Sequence, residues 1–112
     1  MTEEYPAFQK WYKLLDWILD KCEGYPKSVR FTFSGRIANI SLDVLERLIE
    51  AIYTKKRSHI LGTINLYIEK LRVLFRLSFE RGYISGAQFE YIAAQIDDFG
   101  RMIGGWNKVC DE

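Results

Sequence analysis

The side chains that could act as nucleophile, base or metal ligand are few and scattered. The one histidine, His59, stands at a predicted helix start beside Arg57, where protonation would add to a basic cluster and oppose the helix dipole. It reads as a solvated surface residue, and a lone imidazole has no partner set with which to hold a metal. No serine or cysteine has a histidine placed to activate it, and Asp97 and Asp98 fall on the polar side of a predicted helix as solvated acids. Inward glutamates with a Glu-x-x-His motif, the pattern of a di-metal helical site, do not occur. The pair Gly104-Gly105 follows a helix, whereas a phosphate-cradling loop precedes one. Cys22 and Cys110 form neither a disulfide framework nor a thiolate cluster. In a helical bundle they lie at opposite ends, about 30 Å apart for a helix of ~20 residues, so two free thiols are expected. These residues point away from catalysis, metals, cofactors and small-molecule substrates, and toward the binding of other macromolecules.

Basic residues are the better candidates for function. The formal charge is +1, which argues against a general polyanion binder. Four of the fifteen acids, Glu3, Glu4, Asp111 and Glu112, lie at the termini, which leaves the body of the chain modestly basic. Lys27, Arg30 and Arg36 open the second helix with no acid nearer than Glu23 and Asp43. Lys55-Lys56-Arg57 is the densest basic run; it suits phosphate contact and equally suits a soluble loop after a helix. Arg72 and Arg76 stand one turn apart, with Glu69 and Glu80 near enough on the same stripe to neutralise them. Trp17 is flanked on its helical wheel by Lys10, Lys13 and Lys21. That setting fits base stacking or a protein contact, and equally packing under a loop or against a neighbouring subunit.

Four helices must position these groups, at about 7–22, 28–54, 59–81 and 86–106, within a single domain spanning 1–112. In the first, Phe8, Trp11, Tyr12, Leu15, Ile18, Leu19 and Cys22 share a side at 100° per residue. Gly24, free to take positive φ, and Pro26 end it. The stretch Val29-Arg30-Phe31-Thr32-Phe33 alternates like a strand, yet Val29, Phe33, Ile37, Ile40, Val44, Leu48 and Ala51 carry helical spacing through it. Ser58 is placed to cap the third helix, whose core positions are Ile60, Ile64, Ile68, Leu71, Phe75 and Phe79 and which Gly82 ends. Ser85 caps the fourth, with Phe89, Ile92, Ile96, Phe99, Ile103 and Trp106 in line and Gly104-Gly105 as its terminator. Trp106 then covers the open end of the core. Four amphipathic helices on short connections and no strand left over give an all-α, up-down-up-down antiparallel four-helix bundle. No run of ~20 apolar residues could span a membrane, and the acidic N-terminus lacks the regions of a signal peptide; a soluble, cytoplasmic protein is expected.

The helices carry more apolar surface than one core needs. Leu66, Val73 and Leu77 lie nearly opposite Ile64 and Leu71, and Phe31, Leu42, Ile49 and Tyr53 widen the apolar arc of the second helix. Single exposed apolar residues are common, but aligned ones on two helices usually mark an interface. Self-association through Phe31, Leu42, Ile49, Leu66, Val73 and Leu77 is therefore expected.

Three stretches also resemble a known family. They are Tyr25-Pro26-Lys27-Ser28-Val29-Arg30-Phe31-Thr32, Leu71-Arg72-Val73-Leu74-Phe75-Arg76-Leu77, and the closing Gly100-Arg101-Met102-Ile103-Gly104-Gly105-Trp106. Over about residues 7–108 the chain is similar to the accessory variability determinant (Avd) proteins of diversity-generating retroelements. These sit in a wider four-helix-bundle family that includes proteins encoded in ribosomal-RNA intervening sequences. The resemblance implies a ring-like homo-oligomer, pentameric in the family. It implies an assembly without catalytic activity that binds the reverse transcriptase and template RNA and supports mutagenic cDNA synthesis at adenines. It carries over Arg30, Arg36, Arg72 and Arg76 as basic contacts, and Gly104, Gly105 and Trp106 as the structural signature. The competing expectation is an oligomeric protein-protein interaction scaffold of the same bundle type with no nucleic-acid role.

Overall fold

The structure, a computed structural model, describes residues 2–109; Cys110, and with it the expectation of a second free thiol, lies outside the described residues. Four α-helices form around one core: α1 (Pro6–Glu23), α2 (Gly35–Ile52), α3 (Ser58–Glu80) and α4 (Gly86–Lys108), with no strand among the described residues. No helix there is long and apolar enough to cross a membrane. Contacts join α1 to α2 and α4, and α3 to α2 and α4, in a molecule 44 Å long and about half as wide.

The apolar spacing determines what is buried. Trp11, Ile18, Ile37, Val44, Leu48, Leu61, Ile64, Leu71, Phe75, Ile92, Ile96, Phe99 and Ile103 are almost wholly removed from solvent. The Trp11 ring lies 4.7 Å from that of Phe99, and its indole N–H donates to the Ser41 carbonyl at 2.9 Å. A buried indole donor needs such an acceptor, because an unpaired one costs about 1–3 kcal/mol. Two of the expected core positions are instead on the surface. Tyr12 is 60% exposed, with its place in the core taken by Leu14. Phe79 is 42% exposed and stacks on Phe89 at 5.4 Å, since buried Ser78 occupies the inward position in that turn.

Helix ends follow local chemistry, with four departures from expectation. Ser85 accepts from the Gln88 N–H while the Gln88 side chain accepts from the Ser85 N–H, a complete capping box. Ser58 is instead the first residue of α3, behind Arg57 in the cap position. Gly24 stays right-handed at φ −88°. Among the described residues Gly82 alone takes positive φ, 79°, which lets the Tyr83 N–H reach the Ser78 carbonyl at 2.8 Å and turns Tyr83 back over the bundle end. Gly104 and Gly105 do not end α4, which continues to Lys108 because two glycines weaken a helix without breaking it.

The largest departure lies before α2. In place of one helix from residue 28, the chain makes a 3₁₀ turn at Lys27–Val29, a π-helical turn at Arg30–Ser34, and only then the α-helix at Gly35. The π turn holds because the Gly35 N–H donates to the Arg30 carbonyl and a Cβ at Gly35 would sit 2.5 Å from that oxygen. Only glycine tolerates this approach.

Candidate nucleic-acid interface

The two ends of the molecule gather different groups. At one end Tyr25, Phe33 and Tyr83 pack as a triad with ring centroids 5.4–6.1 Å apart. The buried Tyr25 hydroxyl donates to Ser78 Oγ at 2.8 Å, and Ser78 Oγ in turn donates to the Leu74 carbonyl at 2.8 Å. Burial pushes the Tyr25 phenol up to about 12, against a lowering by the Ser78 bond and with a small rise from Cys22. Burial likewise pushes the Cys22 thiol up to about 11, with the Glu23 carboxylate adding to it. These groups are neutral and structural at ordinary pH. Beside them Cys22, Glu23, Tyr25, Arg30, Gly35 and Ala38 line a groove between α1 and α2.

At the opposite end Trp106 packs against Tyr5 at 5.5 Å and carries the Arg57 guanidinium over its ring at 5.4 Å. Trp106 is only partly buried there, so it plugs less of the core than its spacing predicts. Arg57 also donates to the Thr54 carbonyl at 3.0 Å, which fixes the loop bearing exposed Lys55 and Lys56.

The eight predicted basic positions therefore do not form one surface. Lys27, Arg30 and Arg36 lie toward the end that carries the aromatic triad, but Arg30 lines the α1–α2 groove with Glu23 whereas Arg36 lines a groove toward α3 with Glu69 and Lys70; Lys55, Lys56 and Arg57 lie at the far end. Arg72 is taken up by ion pairs, to Glu69 in its own helix and across to Asp97 of α4 at 2.8 Å. Asp97 and Asp98 are thus paired acids, Asp98 with Arg101. The Arg72–Asp97 pair had no sequence signal, because it joins residues on different helices. Arg76, Lys27, Arg30 and Arg36 are exposed and make no ion pair among the described residues. Reading along the chain also missed Arg81, whose guanidinium lies over the Tyr83 ring at 5.8 Å, because Tyr83 meets the triad only through the Gly82 turn. Trp17 packs on Tyr91 of α4 at 5.0 Å with Lys21 over its ring, so it is a helix-helix contact.

The apolar excess is real but divided. Phe31 is 89% exposed, and Leu42, Ile49, Tyr53, Leu66, Val73 and Leu77 are all exposed as well. Leu42 and Ile49 follow Ala38 along the side of α2 that meets α1, whereas Val73 borders the groove that Arg36 and Ile40 share with Lys70 and Leu74. Glu46 and Glu50, both exposed, cover α2 between the two edges. The ribbons on α2 and α3 therefore face different ways, because the wider arc of α2 opens toward α1.

Among the described residues no group of three or more potential ligands could hold a metal ion. The described residues form a four-helix protein with two apolar edges and cations without ion pairs toward one end. The chain belongs to the bAvd-like family, whose model matches residues 7–110. No curated protein matches it.

Proposed function

We propose that this protein is the accessory component of a diversity-generating retroelement, a non-catalytic protein that binds the element's reverse transcriptase and template RNA in the cytoplasm and supports mutagenic cDNA synthesis. Membership of the bAvd-like family across residues 7–110 carries the proposal. Four helices whose neighbours in sequence are neighbours in space suit an up-down-up-down bundle. Two unlike apolar edges suit a head-to-tail contact, in which the Leu42–Ile49 edge of one subunit meets the Leu66–Val73–Leu77 edge of the next. Such a heterologous contact closes into a ring when the rotation permits, a pentamer by family resemblance. A ring would repeat the unpaired cations Lys27, Arg30 and Arg36 around one rim, so that a weak patch gains affinity through effective concentration.

The test is charge reversal of Arg30 and Arg36 with binding of reverse transcriptase and RNA measured side by side. The double variant R30E/R36E is expected to stay oligomeric, to bind RNA at least tenfold more weakly, and to show a shallower dependence of affinity on salt between roughly 50 and 200 mM. Unchanged RNA binding, or affinity indifferent to salt in the wild type, overturns the electrostatic account. The second reading, a protein-only scaffold, is favoured by the formal charge of +1 and by Arg72 being held by Glu69 and Asp97. It predicts polymerase or other protein binding with no RNA affinity at low salt.

A further inference from the structure

Phe31 is the most exposed large apolar side chain of the described residues, at 89%. Tyr12, Phe79 and Tyr91 are exposed aromatics too, but they pack on Phe8, Phe89 and Trp17, and the setting of Phe31 differs as well from that of the exposed aliphatic residues. Leu42, Ile49, Leu66, Val73 and Leu77 are aliphatic, lie on regular α-helix and keep roughly half of their surface covered. Phe31 is an aromatic ring on the π turn, between Arg30 and Thr32 and one turn from Lys27, in a stretch with no acid in sequence between Glu23 and Asp43; in space Glu23 shares the groove of Arg30 and Glu69 that of Arg36 without pairing with either. Lys27, Arg30 and Arg36 make no ion pair among the described residues. Leaving a phenyl ring in water forfeits about 1.5–3 kcal/mol of burial. The π turn is what puts it there: it turns Phe33 inward onto Tyr25 and Tyr83 while its neighbour Phe31 stays outside.

Resting on the nucleic-acid reading above, we infer that Phe31 is a stacking platform for an unpaired base of single-stranded nucleic acid, with Lys27, Arg30 and Arg36 holding the flanking phosphates. A flat exposed ring within a basic stretch meets both halves of a nucleotide. The π-face takes any base, and the cations take the backbone. A protein partner is less well matched, since an apolar hot spot is usually surrounded by contacts that exclude water and not by unpaired cations. Duplex RNA keeps its bases stacked on one another and offers the ring nothing, so the site discriminates single strands from double.

The experiment measures binding of a fluorescent 12-nucleotide RNA, single-stranded or annealed to its complement, to wild-type protein, F31A and F31W, with the oligomeric state of each checked by light scattering. F31A is expected to lose about tenfold or more in affinity for the single strand. Its duplex affinity, salt dependence and assembly should match the wild type, and F31W should restore single-strand binding. Full single-strand affinity in F31A overturns the inference while leaving RNA binding intact. Dissociation of the F31A oligomer overturns it in favour of a subunit contact. Failure of the wild type to bind either RNA at low salt removes the nucleic-acid reading itself.

Discussion

Cys22 and Tyr25 sit side by side at the end of α1, and both are held neutral by burial, the thiol up to about 11 and the phenol up to about 12. The sign of the consequence follows from linkage. In the unfolded chain the thiol ionises near its ordinary value of about 8.5, whereas the native thiol keeps its proton. The Cys22 contribution to stability is therefore complete below the unfolded value and is lost as pH rises toward about 11. The wild-type urea midpoint should thus fall more steeply than that of Cys22→Ala across this alkaline window, and parallel curves for the two proteins would contradict it. The same residues show the limits of reading along the chain. Cys22 is evident as a lone thiol, but the Tyr25–Ser78 bond joins α1's end to α3 and has no local sequence signal.

At the scale of elements, glycines divide into those the backbone requires and those it does not. Gly35 allows the Arg30 carbonyl oxygen to lie 2.5 Å from where a Cβ would be, so Gly35→Ala should cost about 1–3 kcal/mol by forcing the π turn apart. Gly104 and Gly105 lie within α4 with nothing near the space a Cβ would fill. Gly105→Ala should therefore raise stability by about 0.5–1 kcal/mol. Thermal or urea denaturation of the two variants checks both signs; a stabilised Gly35→Ala protein would show that the π turn is dispensable. The helical periods were legible because α1, α3 and α4 bury nearly the residues their spacing selects. The start of α2 was not, because Val29-Arg30-Phe31-Thr32-Phe33 satisfies strand alternation and helical spacing alike, and the tertiary anchor of Phe33 against Tyr25 and Tyr83 selects neither.

For the whole molecule, the exposed aliphatic edges lead to a prediction about assembly. If Leu42 and Ile49 of one subunit meet Leu66, Val73 and Leu77 of the next, a single acidic substitution on either edge should be enough to break the ring. Val73→Glu is expected to shift the protein to a monomer in sedimentation at micromolar concentration, with helical content unchanged because the side chain is already exposed. An oligomer that survives Val73→Glu, Leu66→Glu and Ile49→Glu alike would mean that these edges meet water and not another subunit.

Much of this protein is written in its sequence by itself: the all-helical class, most of the core, the capping box at Ser85, the surplus of apolar residues, and the stretches that resemble its family. Those features rest on periodicity and local hydrogen bonding, which act between residues a turn or two apart. Only the tertiary structure decided which cations remain available, since Arg72 is ion-paired with Asp97 of another helix while Lys27, Arg30 and Arg36 make no ion pair among the described residues. It also separated the apolar ribbons onto two edges and turned Phe31 outward. Each of these depends on how one helix is rotated against its neighbours, and that rotation is set by packing among residues far apart in the chain.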